Sequence, residues 1–400
     1  MKILYLVHQF FPKYYYGTER LTLGLAEQMQ RMGHSPLVMT YDREKDQQGF
    51  VRLSDNVLVK KYTYGTVPVI SFKKTTLPEI CQIFDSDVEE AFSKLELKYD
   101  IVHVCHPMWL SSIARSCKGR GVPVVLTLTD PWLLCPAALI DRGFRLCDGP
   151  ELGHKCASSC GFIGMTGRYR EALDFSGMAD EVVTASRFTA LLFEKNGWNR
   201  PIRIIPHSVD YRFVRRFSND DRGNIKFAYI GSISWHKGVH VLVRAFQKVQ
   251  SQNVSLRVYG STREIWDYSK EVLALARKDE RIKFLDSFDM DALPYVMKEI
   301  SALVVPSVYY DNFPLVTLIG LAYGVPVIGS RIGGIPEIIN HGVNGLLFKP
   351  GNSDELASVI DGVAREPEII HKLAANIITP RRIEEEALDY ENIYRKLTSA

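Results

Sequence analysis

Three residues of this 400-residue chain combine a reactive side chain with a position where chemistry is done. His106 closes "DIVHVCHPMW", a short β-branched run, and beside Pro107 it points where a site at a strand's carboxyl end would lie. His103 alternates with Val102 and Val104, so it reads as a structural histidine. Lys237 lies in "YIGSISWHKGVHVLVRAF", a strand, a turn holding Gly231 and Ser232, and then a helix. A cation at a helix N-terminus opposes the macrodipole, so Lys237 makes better sense if it shares an anion with the helix amides. The likeness of "GSISWHKG" to a Walker loop is superficial, because the terminal Ser/Thr is missing. Asp311 is the one charged side chain of "SVYYDNFPLVTLIGLAYGVPVIGS". Pro314 suits the first helical position and Asn312 its cap. So apolar a helix is expected to be buried, with its amide end facing an interdomain cleft. Gly17, in the turn "HQFFPKYYYGTE", would let backbone approach a phosphate, or would simply serve the turn.

Cys135, Cys147, Cys156 and Cys160 fall within 26 residues, in a stretch rich in Gly and Pro. The spacing C-x11-C-x8-C-x3-C suits a closed tetrathiolate site. Structural zinc is the first expectation. An iron–sulfur cluster, a redox pair or chance clustering are the alternatives, and His154 could replace one thiolate. The other cysteines read as small buried hydrophobes.

These residues need elements to position them. Short apolar runs at Lys2, Pro36, Asp100, Val122, Ile202, Lys226, Val254, Arg281, Ala302 and Val325 read as strands. Several are apolar at nearly every position, as strands covered on both faces must be. Helical patterns alternate with them, for instance Leu21, Leu25, Met29 and Met32 ahead of Gly33. The expected class is α/β, with two doubly wound parallel sheets. The expected divisions are residues 1–206, 207–380 and a C-terminal helix over 381–400, the seam falling in the polar stretch after Ile205. A formal net charge of +3 without a basic stripe argues against a nucleic-acid partner. The first residues lack a signal-peptide cleavage site, and no run is long enough to span a membrane. A cytoplasmic protein is expected, with a peripheral membrane contact left open.

Taken together, "GTERLTLGLAEQMQRMGHSPLVMTY", "DIVHVCHP", "GVPVVLTLTDPW", "IPHSVD", "YIGSISWHKGVHVLVRAF" and the block from "VVPSVYYDNFPLVTLIG" to "LLFKPGN" resemble the retaining GT-B glycosyltransferases of family 4. The resemblance covers nearly the whole chain. It implies two facing Rossmann-like domains, the second holding a nucleotide-sugar donor (UDP-, GDP- or ADP-linked) and the first much of the acceptor site. The acceptor would be a glycan, a lipid-linked sugar or a small molecule. The last helix would cross back onto the first domain, and residues of about 130–165 would be an insertion carried by a subset of the family. The resemblance further implies that Lys237 meets the leaving phosphate, with no catalytic metal, and that Gly17 allows close approach. His106 would lie near the transferring sugar. Asp311 stands for the first acid of the family's paired-glutamate motif, with amides of Asn312, Phe313, Pro314, Leu315 and Val316 beside it, although Pro314 has no N–H to offer.

Two positions depart from that pattern. The second acid, which holds the donor ribose, falls at Ile319, and the arginine that follows the strand glycine Gly231 falls at Ser232. A charged hydrogen bond is worth roughly 1.5 to 3 kcal/mol, so both losses weaken the expected nucleotide grip. A non-catalytic GT-B protein that binds a partner enzyme or a glycan intermediate is therefore the alternative to an enzyme.

Overall fold

The computed structural model describes residues 1–44, 46–76, 81–140, 145–210, 223–263 and 265–399. The chain divides into two compact units, Met1–His207 with Ile383–Ala400, and Ser208–Arg382. The polar stretch expected at the seam lies largely in 211–222, outside the described residues.

The first unit is built on a nine-stranded sheet among the described residues. Its strands are β1 (Lys2–Val7), β2 (Ser35–Tyr41), β3 (Val51–Arg52), β4 (Val57–Tyr64), β5 (Val67–Lys74), β6 (Ile101–Val104), β7 (Val124–Leu128), β8 (Glu181–Thr184) and β9 (Arg203–Ile204). The order is β3-β4-β5-β2-β1-β6-β7-β8-β9. Strands β2, β1, β6 and β7 run parallel to one another, so their carboxyl ends line one edge of the sheet. Strands β1, β6 and β7 are buried at nearly every position, which explains their largely apolar sequences. The doubly wound parallel sheet expected from the sequence is extended at one side, where β4 pairs antiparallel with both β5 and β3. The reason is local: Gly65, at φ +58°, closes a tight turn that parallel strands could not use. Helix Gly17–Arg31 follows β1 and buries Leu21, Leu25 and Met29.

The second unit has six strands among the described residues: β10 (Ile225–Ile230), β11 (Val254–Tyr259), β12 (Ile282–Leu285), β13 (Ala302–Val305), β14 (Val327–Ser330) and β15 (Gly345–Phe348). All pair in parallel, in the order β12-β11-β10-β13-β14-β15. Helix Leu315–Ala322 packs so close to this sheet that a Cβ on Gly320 would come within 2.9 Å of Val327.

The C-terminal helix, Ile383–Thr398, belongs to the first unit. It buries Ala387, Tyr390 and Tyr394 against the core of that unit, where His103 joins them. The His103 ring meets the Tyr394 hydroxyl through Nδ1 and Thr127 Oγ1 through Nε2, and Thr127 is 3.2 Å from the Tyr390 hydroxyl. Burial lowers the His103 pKa to about 3, so the ring stays neutral and can both donate and accept. Tyr394→Phe keeps the packing but leaves a buried ring nitrogen without its partner. Urea unfolding is expected to show a loss of about 1 to 3 kcal/mol, and an unchanged midpoint would mean that the helix is held by apolar contact alone.

Candidate functional site

The second unit gathers Lys237 and Asp311. Lys237 ends a short 3-10 turn, Trp235–Lys237, after β10, and Gly238 follows at φ +74°. A Cβ at Gly238 would lie 1.9 Å from the Pro306 carbonyl oxygen, so only glycine lets this turn press against the segment that follows β13. The two segments are joined by the Val308 N–H, which donates to the His236 carbonyl at 2.9 Å. Asp311 is likewise seated from outside. The Gly334 N–H donates to its carbonyl at 2.8 Å, and a Cβ at Gly333 (φ +60°) would sit 2.2 Å from that same oxygen.

The Asp311 carboxylate is buried and fully engaged. Lys237 Nζ lies 2.8 Å from Oδ2, Ser307 Oγ donates to Oδ2 at 3.0 Å, and the Tyr309 hydroxyl donates to Oδ1 at 3.0 Å. Lys237 also donates to the Tyr309 hydroxyl at 2.9 Å. Burial alone would push the Asp311 carboxyl up, but Lys237 and the two hydroxyls hold it below the usual carboxylate range. Burial likewise pulls the Lys237 ammonium down, and Asp311 and Tyr309 reverse this and raise it. His236 beside them is lowered to about 4, by burial first and by Lys237 second. The cluster therefore carries a fixed cation and a fixed anion at neutral pH.

The remaining residues read from the sequence around this cluster are placed as follows. Gly231 sits just past β10 at φ +155°, and its N–H donates to the Tyr259 carbonyl. Ser232 contributes its carbonyl to the Tyr229 hydroxyl at 2.7 Å. Helix Leu315–Ala322 begins one residue later than expected, with Pro314 as its N-cap in an extended conformation. Asn312 therefore lies two residues before the cap, because Pro314 keeps an extended ψ of 117° and stays out of the helix. Ile319 is partly buried and packs against the apolar cluster of Val209, Leu318 and Ala322.

The first unit gathers a second cluster at the carboxyl edge of its sheet. His8 follows β1, His106 follows β6 and Asp130 follows β7, so three adjacent strands each deliver one titratable side chain. The His106 ring is buried, with Nε2 3.2 Å from Asp130 Oδ2 and Nδ1 accepting from the Met108 N–H at 3.3 Å. It lies against the His8 ring, with centroids 4.0 Å apart and the planes tilted by 38°. Burial would push the Asp130 carboxyl up, and His106, the Trp132 N–H and Arg168 together bring it lower than usual. Gly17 is the first residue of helix Gly17–Arg31 and is exposed. Tyr309, Ser307, His8 and Asp130 were not singled out in the sequence. The last two could have been, since each follows an apolar run as His106 does.

The cysteine expectation is corrected. Cys156 and Cys160 lie one turn apart on helix His154–Cys160, and the Cys135 and Cys147 thiols are near enough to bear on the ionisation of Cys156. Among the described residues, however, no group of three or more His, Cys, Asp or Glu is placed to hold a metal. Two of the thiols lie near carbonyl oxygens, Cys147 Sγ 3.3 Å from that of Gly149 and Cys156 Sγ 4.0 Å from that of Pro150. Residues 141–144 of this segment lie outside the described residues. No described helix is long and apolar enough to cross a membrane.

Residues 210–379 match the family described as glycosyl transferases group 1, and residues 15–213 match glycosyltransferase family 4. An uncharacterised glycosyltransferase of Methanocaldococcus jannaschii is 33% identical over 371 residues, covering 91% of this chain and 89% of its own length. A D-inositol 3-phosphate glycosyltransferase of Actinosynnema mirum is 26% identical, covering 90% of this chain and 87% of its own. Among solved structures, HepE of Anabaena in complex with UDP and glucose superposes with a TM-score of 0.73 at 20% identity, covering 99% of this chain and 100% of that one. Sucrose-phosphate synthase of Thermosynechococcus elongatus reaches a TM-score of 0.72 at 17% identity, covering 100% of this chain and 99% of that one.

The Lys237–Asp311 contact has a measurable consequence. In Lys237→Ala the Asp311 carboxylate is left buried without its cation. Because the Lys237 side chain is 27% exposed, the expected cost at pH 7 is about 1 to 3 kcal/mol, below that of a fully buried pair. The Asp311 pKa in the folded protein is depressed, so the pair's contribution is present above the unfolded carboxylate pKa and is lost as pH falls through the folded one. Urea unfolding of both proteins should therefore differ most above pH 5 and converge in acid. A gap that is constant with pH would show that Lys237 acts through packing.

Proposed function

The chain belongs to family 4 of the GT-B glycosyltransferases, and from that premise we propose that it transfers a hexose from a nucleotide sugar with retention at the anomeric carbon. The observation that carries this is the Lys237–Asp311–Tyr309 cluster, which offers a cation beside a glycine-shaped turn and a short helix amide end. Breaking a sugar–phosphate bond develops negative charge on the departing phosphate, and a pre-positioned ammonium offsets it without the rearrangement that water would need. Lys237 supplies that charge in the proposed reaction, without a catalytic metal. Asp311 orients Lys237 before the donor arrives, and the sugar hydroxyls take over part of its hydrogen bonding afterwards. His106, whose Nδ1 accepts a backbone N–H, carries its hydrogen on Nε2 and shares it with Asp130. That Nε2–H would pass from Asp130 to a sugar oxygen when the donor binds. Retention follows if the acceptor attacks on the face from which the phosphate leaves. A glycan, lipid-linked or small-molecule acceptor is proposed, in the cytoplasm or at the inner face of a membrane.

Ile319 favours a second reading. Its side chain is apolar and partly buried against a hydrophobic cluster, so it offers nothing to a ribose hydroxyl, as a non-catalytic relative would tolerate. The deciding experiment is turnover of UDP-, GDP- and ADP-sugars by the purified protein, with and without a chelator. Lys237→Ala is expected to lower kcat by at least about a hundredfold, His106→Ala to lower kcat/KM, and the chelator to change nothing. No consumption of any donor would favour the binding protein, and equal rates in all three proteins would remove both residues from the mechanism. Calorimetry adds a separate expectation. UDP, GDP and ADP should bind no more tightly than micromolar, and Ile319→Glu should strengthen the preferred nucleotide by on the order of tenfold. Nanomolar binding by the wild type would mean that another group already holds the ribose.

A further inference from the structure

The polar groups of the first-unit cluster are unequally used. Both ring nitrogens of His106 are engaged, whereas His8 Nδ1 is buried and meets no hydrogen-bond partner. The other ring nitrogen of His8 is 3.8 Å from Glu19 Oε1. Glu19 is 1% exposed, on the first turn of helix Gly17–Arg31, and neither of its carboxyl oxygens accepts a hydrogen bond of good geometry. Burial raises its pKa, and the Gln9 side chain and the backbone of Glu19 and Tyr16 offset this only in part. Two indole N–H groups around the same rings are buried and unbonded as well, Trp109 (6.4 Å from His8) and Trp132 (5.7 Å from His106). Trp109 is held at φ +66°, a conformation that a bulky residue adopts only under constraint from its surroundings.

A buried polar group without a partner costs stability, and such groups are rare in a folded chain. Several of them around one pair of touching imidazoles mark a place where hydrogen bonds are completed by something else. The groups are a lone ring nitrogen, two N–H donors and a carboxyl that burial drives towards its neutral form. None of them calls for an ion, whereas hydroxyls both donate and accept, and aromatic rings offer apolar faces to C–H groups. We propose that His8, oriented by Glu19, binds sugar hydroxyls at this edge of the first unit, with His8 touching the substrate and Glu19 acting as a positioning residue. The proposal rests on the transferase reading above. The hydroxyls come either from the transferring sugar of the donor or from the acceptor.

Glu19 separates a structural role from a functional one. A carboxyl kept only for stability would be missed when removed, whereas one kept at a cost would not. Glu19→Met, similar in length and apolar, should hold or raise the thermal unfolding midpoint while lowering turnover on the order of tenfold. His8→Gln should lower turnover by a similar factor. The probes are UDP-glucose, UDP-N-acetylglucosamine, GDP-mannose and ADP-glucose, offered alone and then with methyl glycosides of glucose, galactose and mannose. Slower donor hydrolysis in both variants assigns the hydroxyls to the donor sugar. Unchanged hydrolysis with slower glycoside transfer assigns them to the acceptor. Unaltered rates in both assays overturn the proposal, as does a midpoint that falls in step with the rate in Glu19→Met. If the wild type consumes no donor, the transferase reading fails first and this one with it.

Discussion

A carboxylate cannot be buried without partners, and the second unit is arranged around satisfying that of Asp311. The Lys237 ammonium and the hydroxyls of Ser307 and Tyr309 converge on it. The two hydroxyls come from Asp311's own segment and the ammonium from the turn after β10, so pairing the charge also ties the two segments together. Gly238 and Gly333 are required for the same reason, since a Cβ at either would press on main-chain oxygens of the 306–311 segment. Ion pairs of this kind contribute less to stability than to geometry, because the desolvation of two charges offsets most of their attraction.

Both clusters obey one topological rule. In open parallel sheets ligands meet the carboxyl ends of the strands, where loops diverge and helices begin. His8, His106 and Asp130 follow β1, β6 and β7, while Lys237 and Asp311 follow β10 and β13. The strands owe their parallel packing to apolar runs, so the same runs that build each core decide where the polar side chains emerge.

That link explains what the sequence could tell. Runs such as "KILYLV" and "ALVVP" read as buried strands because all but the leading lysine are apolar, and they give β1 and, without the proline, β13. Strand β4, "VLVKKYTY", escaped notice because its later residues alternate between half-buried and exposed and it carries two lysines. His106, Lys237 and Asp311 were legible because each stands out chemically against an apolar run. Tyr309 and Ser307 were not, since their part depends on folding back onto Asp311, and tyrosine and serine are ordinary in any loop. The four cysteines show the reverse failure. Their spacing allowed a shared metal, but spacing does not fix where the side chains lie, and among the described residues no three such groups are placed to hold one.

The two clusters differ in how they would meet a ligand. In the second unit every strong group already has a partner, so a phosphate must compete with Asp311 for Lys237, and only the difference between two charged contacts is left for affinity. Such an exchange suits catalysis better than tight binding, because a contact that strengthens as charge develops on the phosphate favours the transition state over the bound donor. In the first unit the unbonded groups have nothing to give up, so each hydrogen bond made there is added rather than exchanged. Selectivity is then expected to arise mainly where buried polar groups wait for hydroxyls. A substrate lacking one of those hydroxyls leaves a buried donor or acceptor unpaired, and that penalty exceeds the net worth of the bond itself.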